Sequence, residues 1–201
     1  MSTLKTGALR GTSGTADSIQ LHASDQSVTF PGNVTVSGTM TGGGKVLDVK
    51  QTVYSGQTTE SLDQGAFGAA RCSISHAAAS SSNKLLIEGI YHLGTHSGNM
   101  RIGLGLFVGG SIHAAATGDA SGSKTRLTAS SWSYDSSFGV VPVTFKYLLS
   151  SPSTSSTTYD MRAWQGDNST RTLYVNYEKD STDHNYHQVC ISTLTLTEIA
   201  A

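Results

Sequence analysis

Apolar residues along this chain follow two rhythms. Over the first 44 positions they stand in isolated pairs spaced by two: Ile19 and Leu21, Val28 and Phe30, Val34 and Val36, with Met40 after them. Members of such a pair share one face of an extended strand. Turn formers separate the pairs, at Asp25-Gln26, Pro31-Gly32-Asn33, Ser37-Gly38 and Gly42-Gly43-Gly44. After Gly44 the alternating runs lengthen. They predict strands near 46–54, 66–74, 84–92, 100–108, 124–132, 140–149, 158–165, 171–177 and 188–199. Val141, Val143, Phe145, Tyr147 and Leu149 share one strand face; Leu173, Val175 and Tyr177 share another; Cys190, Leu194 and Leu196 line the last. The alanine runs in "HAAASSSNK" and "IHAAATGDASG" are too short and too rich in Ser and Gly for a stable helix. The expected fold is all-β. An N-terminal β-rich shaft or attachment segment over 1–44 leads into an antiparallel, jelly-roll-like β-sandwich over 45–201.

Composition changes this picture in one respect. The chain has 201 residues, of which only 37% are hydrophobic and 13% charged. Ser, Thr, Gly and Asn fill the difference, which fits turn-rich β structure better than a charged, disordered chain. The leading 44 positions hold too few large side chains to offset their own ordering entropy. They contain no cysteine and a single imidazole, His22, so neither disulfide nor metal completes their core. Self-association remains: in a homotrimer, three narrow apolar edges would share one axial core. Left alone, the same segment would be a disordered, adhesive tail.

The formal net charge of −1 argues against a nucleic-acid partner, which calls for a basic surface. No run approaches the ~18 apolar residues of a membrane helix, and "MSTLKTGALRG" has no apolar core of a signal peptide. No membrane insertion and folding in a reducing cytoplasm are therefore expected. The two cysteines, Cys72 and Cys190, lie in apolar strand patterns and read as buried free thiols.

The stretches "MSTLKTGALRG", "VTFPGNVTVSGTMTG", "KVLDVKQTVYSG" and "ISTLTLTEIAA" resemble small structural proteins of tailed bacteriophages. They are similar in particular to tail-fibre proteins of marine and cyanobacterial phages. The resemblance implies a homotrimer in which a thin β-rich shaft leads into a C-terminal β-sandwich. It also implies a place in the virion, assembled in the host cytoplasm, with residues 1–44 contacting other tail or capsid proteins. A trimeric head-fibre or capsid-decoration protein is the related alternative. The resemblance assigns no catalytic residue.

The residues themselves carry little catalytic chemistry. His92 and His96 are four apart, and His184 and His187 are three apart, but on strands and loops these spacings do not converge on a metal. A threefold axis would gather three copies of His96 or His184, the one arrangement in which these residues would chelate. No GxSxG elbow and no GxxxxGK[ST] loop occurs. Asp160 and Glu178 are the carboxylates a glycosidase reading would use, but the chain holds only 7% aromatic residues and its acids are scattered. No enzyme activity and no cofactor are expected.

Binding is the better prospect. If successive strands alternate in direction, the loops 55–65, 93–99, 133–138 and 166–170 gather at the end remote from Val46. They bring aromatic rings beside Asp, Asn and Ser, the chemistry that stacks on a sugar face and bonds its hydroxyls. The candidate receptor surface is Trp132, Tyr134, Asp135, Trp164, Asp167 and Asn168, with a host-surface glycan as partner. Each tryptophan also has a plain reading, closing the core at a strand end.

Overall fold

The computed structural model describes strand residues 8–9, 19–21 and 28–29, and residues 45–201 except 97–98, 134–138, 181–183 and 186. The chain divides into two compact units, Met1–Gly42 and Gly43–Ala201. In the first, the described residues form three short strands: β1 (Ala8–Leu9), β2 (Ile19–Leu21) and β3 (Val28–Thr29). They pair antiparallel in the order β1-β2-β3, Leu9 opposite Ile19 and Leu21 opposite Val28. Phe30, Val34, Val36 and Met40 lie outside the described residues.

The second unit is the expected all-β sandwich of antiparallel sheets. One sheet runs in the order β10 (Ala129–Ser133), β8 (Met100–Val108), β12 (Thr157–Gln165), β6 (Cys72–His76), with β9 (Ser111–Ile112) on β8. The other runs β4 (Val46–Tyr54), β14 (Ser192–Ile199), β7 (Lys84–Thr95), β13 (Arg171–Val175), β5 (Thr58–Leu62), with β11 (Val140–Ser150) on the far edge of β7. We call them the first and second sheets. Among the described residues the only helical element is a single 3-10 turn, Ala114–Ala116, and no helix is long and apolar enough to cross a membrane.

Alternation produces the core directly. The inward positions of β7 and β8 include Leu85, Ile87, Tyr91, Ile102, Leu104 and Leu106, all fully buried against Met161, Leu194 and Leu196 of the neighbouring strands. β7 is the long rail of the second sheet. β11 pairs along nearly all of it, whereas the opposite edge is shared: β14 covers residues 84–90 and β13 covers 93–95. Asn176 bridges the break between those two strands. Its φ of +67° puts it in the left-handed region, which Asn tolerates better than most residues. Its backbone N–H donates to the His92 carbonyl, and its carbonyl accepts from Cys190 N–H. Its side-chain amide donates to the carbonyls of Tyr54 (2.7 Å) and Gly56 (3.1 Å), and its Oδ1 accepts from Ser192 Oγ. One buried amide thus ties four segments where the ladders stop.

The cysteines are free, as expected; Cys72 is buried, but Cys190, beside that break, is only half-buried. Burial pushes the Cys72 thiol up to about 11.

Candidate functional site

The register gathers one set of loops at a single end of the sandwich. β7 and β4 run parallel through their common neighbour β14, so Thr95 and Tyr54 point to the same end. Val140 starts β11 opposite Gly94, and Gln165 ends β12 opposite Ile102. Backbone bonds then lock the loops together: Gly65 N–H to Gln165 O, His96 N–H to Thr172 O, and Gly166 N–H to Arg101 O. Thr170 Oγ1 adds a bond to Asp63 Oδ1 at 2.5 Å. The expected loop 55–65 contains a strand, β5, so only its final residues join this end.

Among the described residues Trp132 is the exposed ring here, with 37% of its surface open. It sits at the end of β10, opposite Arg101 of β8. The Arg101 guanidinium lies 4.9 Å from the indole centroid, and the indole Nε1 donates to Asn99 Oδ1 at 3.4 Å. Asn99 takes a φ of +59°, which turns the chain sharply into β8. Trp164, by contrast, is nearly buried, and its ring lies against Gly103 and Gly166. Asp167 is 8% exposed. Its Oδ1 accepts the Arg101 backbone N–H at 3.3 Å, and its Oδ2 lies 3.7 Å from Arg171 Nε. Its own N–H donates to Gln165 Oε1. Asp167 therefore holds the loop in shape and anchors the strand that carries Arg101. Asn168 beside it is exposed. Tyr134 and Asp135 lie outside the described residues. The structure brings Trp132 and Asp167 together through Arg101, and Trp164 packs behind them through Gly166 and the Arg101 stem.

Two other titratable clusters are internal. His76 of β6 donates or accepts at Glu198 Oε2 (2.9 Å) and lies 3.6 Å from Asp48 Oδ2. Glu198 also accepts from Ala79 N–H at 2.8 Å and from the Asn83 amide at 2.5 Å. Burial alone would raise the Glu198 pKa, but the bonds from Asn83, Ala79 and His76 outweigh it and hold the carboxyl below its ordinary value. The two carboxylates flank opposite nitrogens of one ring, so they cannot share a cation with it. The cluster is a clamp between the two sheets. In the second cluster, buried Glu178 accepts from Gln188 N–H (2.8 Å) and pairs with His187 Nδ1 (2.7 Å).

Asp160 and Glu178, the conceivable glycosidase pair, are both buried and engaged. Asp160 takes two bonds from Arg162 on the first sheet, while Glu178 follows β13 of the second. His92 and His96 are engaged separately, His92 Nδ1 with the Ile191 carbonyl and the His96 backbone with Thr172. Among the described residues no group of three His, Cys, Asp or Glu is placed to hold a metal.

No family model and no curated protein matches this chain. Among solved structures it is similar to that of infectious bursal disease virus, Gx strain, at a TM-score of 0.42 and 10% identity over 76% of this chain and 40% of that one. For the Gt strain the TM-score is 0.38 and the identity 12%, over 89% and 46%. The chain spans less than half the length of either, and likenesses this distant carry no argument about function.

Arg101 and Asn99 are the site residues that sequence reasoning passed over. In "MRIGLGLFV" the signal was present: Arg101 is the one charged side chain in a strand otherwise apolar or glycine, at a position whose parity faces outward.

Proposed function

We propose that this chain is a structural protein of a bacteriophage virion, a homotrimeric tail fibre whose sandwich binds a host-surface polysaccharide at the loop end. The observation that supports this reading best is Trp132. It is a large ring left open on a rigid strand, with the Arg101 guanidinium on one face and the Asn99 amide at its edge. A pyranose ring stacks on the indole face that Arg101 leaves free, and Asn99, Asn168 and Arg101 offer bonds to its hydroxyls. Tyr134 and Asp135 follow Trp132 in the sequence and extend the same chemistry. Each head binds weakly. Several heads on one particle raise the effective concentration and hold the host. Residues 1–44 attach the fibre to other tail or capsid proteins.

A second reading, a trimeric capsid-decoration or head-fibre protein, is favoured by a different observation. On the outer face of the second sheet Leu47, Val49, Val53 and Leu148 stand exposed, a surface suited to protein rather than sugar. Two experiments separate the readings. Purified protein should adsorb to host cells, and Trp132→Ala should abolish adsorption while leaving thermal unfolding unchanged. Undiminished adsorption by that variant removes the sugar platform. Imaging particles tagged on this chain should show label on the tail; label on the head supports the decoration role instead.

A further inference from the structure

The second sheet leaves one face unexplained. Among the described residues, seven of the eight large apolar side chains that stand exposed lie on β4, β11 or the 189–191 lead into β14; Trp132 is the exception. Random scatter over a monomer surface would not collect them on one sheet.

Register converts that list into a surface. Leu47, Val49 and Val53 occupy the outward positions of β4, with Val49 59% and Val53 52% exposed. Val53 stands opposite Thr193, which stands opposite Ile90, and Val49 continues in the same way through Thr197 to Leu86. Leu148 of β11 completes that second row opposite Leu86 and is 46% exposed. The rows span β4, β14, β7 and β11. Four strands at ~4.8 Å spacing and about eight residues at ~3.3 Å each give a flat footprint of roughly 500 Å². Side-chain relief brings the accessible area toward the ~800 Å² per partner of a standard interface.

Three features argue for a second copy of this chain as the occupant. First, two polar groups on the face already have partners within it. Gln51 Nε2 donates to Thr195 Oγ1 at 2.9 Å, and Lys146 Nζ lies 2.9 Å from Glu88 Oε1, which lowers the cost of covering them. Second, among the described residues the acidic and basic side chains of the face are Glu88 and Lys146, which cancel, with Lys84 at the rim and His92, whose Nδ1 is bonded to the Ile191 carbonyl. Identical faces therefore do not repel, and each presents a carboxylate and an ammonium to its copy. Third, contact through the exposed edge of β4 is guarded. Asp48 and Lys50 turn inward, Asp48 toward His76 and Lys50 to the Ser75 carbonyl. Inward charges of this kind discourage strand addition at an edge. What remains open is the face.

We infer that copies of this chain pack against one another through the outer face of the second sheet, centred on Val49, Val53 and Leu148 around the Glu88–Lys146 pair. The inference rests on the self-association in the reading above and names the surface that carries it. Three such faces turned to one axis form a closed prism that takes Val49, Val53 and Leu148 out of water.

Sedimentation equilibrium of the full chain provides the test, run on the parent, on Val49→Lys/Val53→Lys and on Glu88→Lys. Both sites are exposed, so folding should be intact, and thermal unfolding by circular dichroism checks this. The lysine pair should weaken association by roughly tenfold or more, because it buries unpaired ammonium groups. Glu88→Lys should weaken it too, and Glu88→Lys/Lys146→Glu should restore it. If all variants sediment like an oligomeric parent, the face is not the interface, while the homotrimer stands on other contacts. If the parent is monomeric at every concentration, the face and the homotrimer both fall.

Discussion

The two sheets of this sandwich treat their outer faces in opposite ways. On the first sheet, Gly103 and Gly105 stand at outward positions of β8, and the chain lays its own side chains over them. A Cβ at Gly105 would lie 2.7 Å from Phe67 Cε1 and 3.0 Å from Phe107 Cε2; one at Gly103 would lie 2.7 Å from Leu127 Cδ1. Phe67 and Phe107 meet edge to face at 5.2 Å, and the Arg162 guanidinium caps Phe107 at 4.1 Å. On the second sheet the same parity yields valine, threonine and leucine, and among the described residues Val49, Val53 and Leu148 stand exposed. Both faces alternate alike. A sheet hides its second face either by folding loops across it, which needs glycines beneath, or by meeting another chain, which needs a flat aliphatic surface.

The strongest way to break this contrast is to cut into the roofed face. Phe107→Ala should lower unfolding free energy by about 3–5 kcal/mol, measured by denaturant titration, since a buried aromatic ring leaves a cavity. The clamp joining the sheets comes next. Glu198→Gln should cost roughly 2–3 kcal/mol at neutral pH by removing a charged acceptor from His76, Asn83 and Ala79. The pH dependence has a definite sign. The Glu198 carboxyl is held below its ordinary 4.5 in the folded chain. Its stabilisation is therefore complete above that value and is lost as pH falls through the lower folded one. A stability–pH series should show this acid-side loss in the parent and less of it in the Gln variant. Gly105→Val should be milder, about 1–3 kcal/mol, because flexible ring edges must shift. Smallest of all, Leu148→Thr should change the unfolding of a dilute, dissociated chain by less than ~0.5 kcal/mol. An effect as large as that of Phe107→Ala would mean the bare face is already covered within one chain.

Much of this was legible in the chain. The strands 46–54 and 100–108 stand where alternation put them, because turn formers bracket each run. The misses have physical causes. β5, "TTESL", was invisible because its inward residue is Glu60, neutralised by Arg71 Nε at 2.8 Å rather than by apolar neighbours. The expected strand 124–132 begins only at Ala129, since Leu127 is drawn over the face above Gly103. The run 66–74 is interrupted: Phe67 bridges to Trp164, and β6 starts at Cys72. The last strand begins at Ser192 rather than at 188, because the ladder breaks at Asn176. At the candidate site, aromatic residues flagged themselves by size. Trp132 and Trp164 read alike in sequence, yet one is open and the other buried, because only tertiary packing decides which ring a glycine admits beneath it.

Hydroxyl-radical footprinting of the full chain, dilute and concentrated, reads the two faces most directly. Val49, Val53 and Leu148 should lose reactivity as concentration rises, while Trp132 stays labelled throughout and Phe107 is protected at every concentration. Undiminished labelling of those three residues in a concentrated, oligomeric sample would contradict a face built for a second copy.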